Sequence, residues 1–375
     1  MKTAVHFFPD TQFVDHAIDI YKDLKIYKNI FCCYNKKGKV KFIKSPDISL
    51  FSNNATIISF INSNADFLIL YSLCLPYSVL LKLNRNIKIV WHTVGYDIYS
   101  DDSIIGRLDQ KKLINMNLYC KLTRKYLSLN FLYITKKVIR YYILFAFRRN
   151  YYYNFLINNV SYISSVLPIE KKYFDKRLKA KYIDFRFISE RDNFGNFDLQ
   201  KTNKTNILLG NSATPENNHL DVLEYLHSLN LDNINIIMPL SYGDERYRDY
   251  LIRYIKHKKY RFEVECLTNF LDFKNYKEIL QSCSFAIFGV LRQQAMGNIY
   301  NLLKIGTKIF LYSNSIVYKQ LIENGYNVYP IEEISVHSLM TGLSKEEKEN
   351  NKKLITNELN YSLLITKLIN QYNSM

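Results

Sequence analysis

Apolar and polar positions alternate along the chain in blocks whose lengths predict strands and helices in turn. In the first half, apolar runs predict strands over residues 3–8, 29–34, 39–43, 66–73 and 87–91. Helices are predicted between them over 11–24, 54–62 and 76–83, the last opened by Pro76. Shorter segments follow at 160–166, 168–173 and 181–187. From residue 206 the alternation is cleaner, with strands over 206–209, 234–238, 261–266, 285–290 and 326–330. Helices fall near 217–229, 245–257 and 273–283, and residues 346–373 read as one helical segment. Strand and helix repeating at this spacing predict parallel sheets with right-handed crossovers. The polar, Asn- and Asp-rich stretch around Gly195 reads as a linker. The predicted organisation is therefore an α/β domain over 1–190, a linker over 191–204, a second α/β domain over 205–345 and a helical tail over 346–375, with a cleft between the two domains.

Residues 284–311 read as strand, helix, strand, with Ala295, Ile299, Leu302 and Leu303 on one helical face. Helices ordinarily place Asp or Glu in their first turn, yet no acid occurs between Glu278 and Glu323. The helix is predicted to open instead with Arg292, Gln293 and Gln294. Backbone N–H groups with a guanidinium beside them suit a phosphate or diphosphate. A buried crossover helix that simply lacks acids fits the same residues. Loops after residues 209, 238 and 290 are expected on one carboxyl edge of the sheet, where small and polar residues let backbone approach a nucleotide.

The strand over 87–91 runs into His92-Thr93-Val94-Gly95-Tyr96-Asp97. In an open parallel sheet the ligand crevice lies beyond the carboxyl ends of the strands, so His92 and Asp97 are candidates for general acid or base work. Each also has a structural reading, His92 as a satisfied loop histidine and Asp97 as a cap on the next helix. Asp101 and Asp102 point in different directions with no further ligand nearby in sequence, and they read as capping or loop residues rather than a metal site.

Charge adds a partner to this picture. The 375 residues carry a net charge of +17, and between Arg107 and Arg149 eleven basic residues face one acid, Asp109. Lys121, Arg124, Lys125, Lys136, Lys137 and Arg140 are interleaved there with aromatic rings, in a basic aromatic insert spanning about 107–155. Such a segment suits an anionic membrane face, or equally a solvated helical pair with its own aromatic core. A non-enzymatic module binding nucleic acid would also be basic, but no helix-turn-helix, zinc or stacking-platform signature supports one. The six cysteines show no metal spacing and read as buried thiols of a reducing compartment. The apolar run before Pro9 is too short for a signal peptide and 141–147 too short to span a bilayer, so a cytoplasmic location at the membrane face is expected.

The motifs ILLGNS with Asn218-His219, MPLSYG, FKNYKEILQSC, RQQAMGNIYNLLKIG and LYSNS ahead of YKQL, taken in order over about 206–330, resemble the bacterial TDP-4-acetamido-4,6-dideoxygalactose:lipid II transferases. These form glycosyltransferase family 56, which completes the enterobacterial common antigen repeat. VWHTVGYDIYS resembles the same family's N-terminal pattern; the match over 159–187 is loose and the basic insert is longer than the family pattern. The resemblance implies a GT-B glycosyltransferase of two Rossmann-like domains and a nucleotide-sugar donor, dTDP- or UDP-linked. It also implies transfer of an aminodeoxy-hexose to a polyprenyl-diphosphate-linked saccharide at the cytoplasmic face of the inner membrane, in surface polysaccharide synthesis, without a metal or other cofactor. Carried over residue by residue, Gly210, Asn211 and Ser212 would contact donor phosphate or sugar, and Ser241 and Tyr242 would lie near the nucleotide. Arg292, Gln293, Gln294 and Gly297 would hold the diphosphate and Asn314 a sugar substituent. Asp97 matches the family pattern more closely than His92 and is preferred as base. A GT-B relative using another sugar, nucleotide or acceptor remains an alternative.

Overall fold

The computed structural model describes residues 1–11, 14–99, 118–129, 155–174, 177–186, 189, 198–200 and 202–375. They divide into two compact units, each built on one parallel sheet.

The first unit contains strands β1 (Thr3–Phe8), β2 (Lys28–Tyr34), β3 (Ile48–Phe51), β4 (Phe67–Tyr71), β5 (Lys88–His92), β6 (Val160–Ser164) and β7 (Lys181–Tyr182). They form a seven-stranded sheet in the order β3-β2-β1-β4-β5-β6-β7. Strands covered on both faces need no polar alternation. Accordingly β4, Phe-Leu-Ile-Leu-Tyr, is buried along its whole length. Helices α1 (Val14–Leu24), α2 (Asn54–Asn64), α3 (Tyr77–Leu80) and α4 (Gly95–Tyr99) follow β1, β3, β4 and β5. The strand expected over 39–43 is absent. Asp10 accepts the backbone N–H groups of Lys41, Phe42 and Ile43, and Asp15 those of Lys44 and Ser45, so these donors serve carboxylates instead of a ladder. The sheet edge is formed by β3 instead, paired in register with β2.

Helix α5 (Lys121–Leu129) belongs to the second unit, although the chain passes through it between two strands of the first. That unit continues with β8 (Thr205–Leu209), α6 (His219–Ser228), β9 (Ile234–Pro239), α7 (Glu245–His257), β10 (Glu263–Leu267), α8 (Phe273–Ser282), β11 (Cys283–Phe288), α9 (Met296–Ile305), β12 (Lys308–Leu311), α10 (Ile316–Glu323), β13 (Tyr329–Pro330), α11 (Val336–Met340) and α12 (Lys345–Glu358). Its six-stranded sheet has the order β10-β9-β8-β11-β12-β13, with the order reversing between β8 and β11. Ligands of open α/β sheets sit at such a reversal, outside the carboxyl ends.

The helical tail is two elements rather than one. Asn360 ends the pattern and caps α13 (Tyr361–Asn373), accepting from the Leu363 N–H at 2.9 Å. Helix α12 stays with the second unit, packed on α9, with Glu358 taking the hydroxyls of Tyr300 and Tyr326. Helix α13 returns to the first unit and packs on α1, burying Tyr361, Leu364, Leu368 and Tyr372. The division expected at residue 190 therefore differs in two places, at α5 and at α13. Both transfers are long-range packing, to which a local pattern is blind.

Candidate active site

Three loops meet at the carboxyl edge of the second sheet. The loop after β8 is fixed first by backbone: the Gly210 N–H donates to the Ile287 carbonyl of β11 at 2.9 Å. Asn217, fully buried, then spans that loop from within. Its amide donates to the Ser212 carbonyl at 3.0 Å and to Thr214 Oγ1 at 2.9 Å, and its Oδ1 accepts the Asn211 N–H at 3.3 Å. A buried amide so saturated is costly to disturb, since each lost partner leaves an unsatisfied group worth about 1–3 kcal/mol.

The loop after β9 is laid against this one as a short extra ladder. The Ala213 N–H donates to the Tyr242 carbonyl at 2.7 Å and the Asp244 N–H to the Ala213 carbonyl at 2.9 Å. Gly243 makes that approach feasible: its φ is +121°, and a Cβ there would lie 2.7 Å from the Ala213 carbonyl carbon. The loop after β11 joins through side chains. Gln294 Nε2 donates to Asn211 Oδ1 at 3.0 Å and Thr214 Oγ1 at 3.0 Å, while Asn211 Nδ2 donates to the Tyr242 hydroxyl at 2.9 Å. The single side chain of Asn211 thus bridges all three loops. At the start of the third loop, Gly289 leaves room for the Asn217 carbonyl, which would lie 2.4 Å from a Cβ, and the Gly289 carbonyl accepts from Asn218 Nδ2 at 2.6 Å.

Arg292, Gln293 and Gln294 precede α9 rather than forming its first turn. Ala295 occupies a left-handed N-cap (φ 61°), so the helix begins at Met296. The first turn has no acid and no side-chain cap, and a Cβ on Gly297 would meet nothing within 4 Å. A first turn without a side-chain cap, with open space beside Gly297, has the character that an anion site requires. Arg292 Nη1 donates to the Gln293 carbonyl at 2.9 Å, holding the guanidinium in the same loop. Ser241 is half-buried beside Tyr242. Asn314 is exposed, in the turn between β12 and α10.

In the first unit His92 and Asp97 are both buried. His92 is fully buried, with Nε2 2.7 Å from the Tyr21 hydroxyl and Nδ1 2.6 Å from Ser164 Oγ. The Tyr21 hydroxyl is also hydrogen-bonded to that of Tyr372 on α13. Burial holds the imidazole well below its ordinary pKa, and both ring nitrogens face hydroxyls of the core, the arrangement of the satisfied histidine. Asp97 lies in α4. Its Oδ2 accepts the Val94 N–H at 2.9 Å and its Oδ1 the Ser72 hydroxyl at 2.9 Å and the Leu73 N–H at 3.3 Å. Burial outweighs these bonds and raises its pKa to about 6. Its side chain is buried, at 3% exposure, so the same bonds that hold α4 in place also fill the carboxylate's immediate surroundings.

The basic insert is described only in part. Lys121, Arg124 and Lys125 are exposed on α5, whose first turn is capped by Asp221 of α6: Leu122 N–H at 2.7 Å, Thr123 N–H at 2.9 Å. Lys136, Lys137 and Arg140 lie outside the described residues, as do Asp101 and Asp102. Asn217 was not distinguishable as a site-builder in sequence, where a loop rich in asparagine carries no sign of which one turns inward, and Gly289 lay in an apolar run that carried no site signal; Asn218 was marked only by the family pattern.

The sequence profile of the family described as 4-alpha-L-fucosyltransferase, glycosyl transferase group 56, matches residues 132–361. The chain belongs to this family. Group 56 membership makes the protein a glycosyltransferase, and its two parallel-sheet units have the GT-B fold. Solved structures agree on the fold at low identity. Anabaena HepE in complex with UDP and glucose is 10% identical with a TM-score of 0.62, each chain covered in full. A glycosyltransferase from Rickettsia africae is 15% identical, TM-score 0.61, covering 100% of this chain and 98% of that one. The sucrose-phosphate synthase of Thermosynechococcus elongatus is 7% identical, TM-score 0.64, covering 100% and 99%. Among the described residues of this group 56 protein, no helix is long and apolar enough to cross a membrane.

Proposed function

We propose that this group 56 enzyme transfers an amino-substituted 6-deoxyhexose from a dTDP- or UDP-sugar to a saccharide carried on a polyprenyl diphosphate. The observation that carries the donor half is the Asn211 bridge, which locks three carboxyl-edge loops into one surface ending at the uncapped start of α9. The donor diphosphate rests there, against the N–H groups of the first turn and Arg292, with Gln293 and Gly297 beside it. Ser212, Ser241 and Asn314 contact its sugar or nucleoside. UDP bound to Anabaena HepE, which shares the fold, supports a nucleotide ligand. The family's description as a fucosyltransferase supports the sugar class, because fucose is a 6-deoxygalactose and 4-acetamido-4,6-dideoxygalactose shares that skeleton.

In the reaction, an acceptor hydroxyl oxygen bonds to the sugar C1 as the C1–O bond to the diphosphate breaks. Asp97 takes the hydroxyl proton, and charge growing on the leaving diphosphate is stabilised by fixed N–H dipoles and the guanidinium. These groups supply the electrostatic help without a metal cofactor. The acceptor's own diphosphate and the anionic lipid around it fit the basic residues Lys121, Arg124 and Lys125 and the net charge of +17.

A thermal-shift panel of nucleotide-sugars tests the reading. A ligand that binds only the folded protein raises its melting temperature, so dTDP- or UDP-linked hexoses should stabilise it in a dose-dependent way. No shift with any nucleotide-sugar contradicts the donor assignment. Flotation with anionic liposomes tests the membrane part, and binding that ignores added salt contradicts an electrostatic role for the basic residues.

A further inference from the structure

The basic residues of the chain gather in a second place, outside the insert. From Glu245 to Arg261 seven basic residues face two acids. Most of this run is α7, which buries Tyr247 and Leu251 and leaves Arg246, Arg253 and Lys256 exposed. In sequence the run lies far from the insert, yet within the second unit the fold brings the two together. The ring of Tyr126 on α5 lies 4.3 Å from that of Tyr250 and 5.4 Å from that of Tyr247, both on α7, and Leu122 packs with Tyr126 on the same core. The start of α5 is fastened as well: the Cys120 N–H donates to Asn218 Oδ1 at 2.7 Å and the Thr123 N–H to Asp221 Oδ2 at 2.9 Å. Helix α5 is thus a fixed part of the second unit's surface.

Residues three and four apart share one flank of a helix. Arg246 and Arg253 stand four before and three after Tyr250, so both flank the ring on which α5 packs. On α5, Lys121 and Lys125 each precede by one residue the inward-packed Leu122 and Tyr126, and both are exposed. Basic heads therefore line both sides of an aromatic seam. The carboxylates nearby are engaged elsewhere: Asp221 with the first turn of α5, Asp249 with Arg248 at 3.4 Å, Glu224 with Lys258 at 2.8 Å and Asp232 with Arg261 at 2.7 Å. Among the described residues no acid pairs with Lys121, Lys125, Arg246 or Arg253. A cationic face without carboxylates of its own attracts an anionic surface from outside.

We infer that the joint α5–α7 face of the second unit is where the protein docks on an anionic phospholipid bilayer. This inference rests on the membrane part of the reading above and goes further by placing α7, a helix outside the basic insert, in the contact. Long basic side chains around half-buried tyrosine rings suit the headgroup layer, where cations meet phosphates and amphipathic rings settle. A single-stranded nucleic acid would instead need rings free to stack on bases, whereas Tyr126 and Tyr250 are turned on each other.

The test is flotation of the full-length protein with vesicles of mixed phosphatidylglycerol and phosphatidylcholine, in the wild type and in two double variants, Arg246→Gln/Arg253→Gln and Lys352→Gln/Lys353→Gln. Lys352 and Lys353 are exposed on α12 of the same unit, so the second variant loses equal charge at another place. All four side chains are exposed, so both variants keep the fold, and a melting curve of each verifies it. The expected result is a loss of about tenfold or more in partitioning for Arg246→Gln/Arg253→Gln, wild-type partitioning for the α12 variant, and release of the wild type by added salt. Equal losses in the two variants reflect net charge rather than a face and overturn the inference. Undiminished partitioning of Arg246→Gln/Arg253→Gln confines the contact to the insert and overturns the inference while leaving the membrane reading intact. Duplex DNA bound as tightly as the vesicles, and weakened by the same two substitutions, assigns the face to nucleic acid and also overturns it. Wild-type protein that fails to float with the anionic vesicles overturns both the inference and the membrane reading.

Discussion

The proposal of Asp97 over His92 as the base rests on what surrounds each side chain. His92 opens and Asp97 closes the stretch HTVGYD, and only the family pattern favours Asp97 in sequence, because neither spacing nor residue type reports the depth or the partners of a side chain. Both are buried, His92 among Tyr21, Tyr372 and Ser164 and Asp97 at 3% exposure against Ser72, Leu73 and Val94, and what distinguishes Asp97 is a pKa raised to about 6. As general base, Asp97 must be ionised, so the rate should fall as pH drops through about 6. Asp97→Asn should lower kcat by about 100-fold or more and remove that inflection, with donor affinity little changed. The asparagine also keeps only one oxygen where two accept N–H or O–H groups, so a melting curve of the variant is the control. Normal turnover in a folded Asp97→Asn enzyme contradicts the assignment.

At the scale of elements, most of what forms the donor edge was legible. The strand ends after residues 209, 238 and 290 predicted three loops on one edge, and those loops touch. The start of α9 was displaced by four residues, because helical periodicity does not reveal that Ala295 turns left-handed and that the Arg-Gln-Gln segment stays outside the helix. Asn217 was illegible for a different reason. Its value arises only when the loop closes around its buried amide, and the sequence NSATPENN offers several equal candidates. Gly243 ties the elements together, so Gly243→Ala should be informative. A side chain at φ +121° costs on the order of 1–3 kcal/mol, and the Cβ would also press on the Ala213 carbonyl. The variant should melt lower and bind nucleotide more weakly, because the first two loops are driven apart. Unchanged stability and affinity in that variant would show that the Ala213–Gly243 contact is dispensable.

At the scale of the molecule, sequence periodicity gave two parallel α/β units but not their membership. Helix α5 carries the basic residues to the second unit through Asp221, and α13 carries Tyr372 back to the first. The signals for both are buried contacts between residues far apart in sequence, such as Tyr21 with Tyr372. Stability should follow the buried histidines. His6 and His219 are lowered to about 3, and His92 well below its usual value, all by burial. Their folded pKa values lie below the unfolded value near 6.5, so the stability they contribute is present above that pH and lost as pH falls towards the folded values. Each adds a slope of about 1.4 kcal/mol per pH unit below 6.5. Asp97 works the other way between about 6 and 3.8, since its raised folded pKa favours the native state as it protonates. One carboxylate against three histidines leaves a net loss, so the melting temperature should fall steadily from pH 6.5 to 5. A flat or rising profile in scanning calorimetry over that range contradicts the buried neutral histidines.

The edge formed by the three loops and the start of α9 is proposed to hold the donor diphosphate. Its most direct test is a calorimetric titration of UDP and dTDP into the wild-type enzyme and Arg292→Ala at matched pH and salt. Measurable nucleotide binding by the wild type is expected, and for a normally folded Arg292→Ala a loss of affinity of about tenfold or more, the scale of one charge-assisted contact to phosphate. Equal affinity in the two proteins would contradict it.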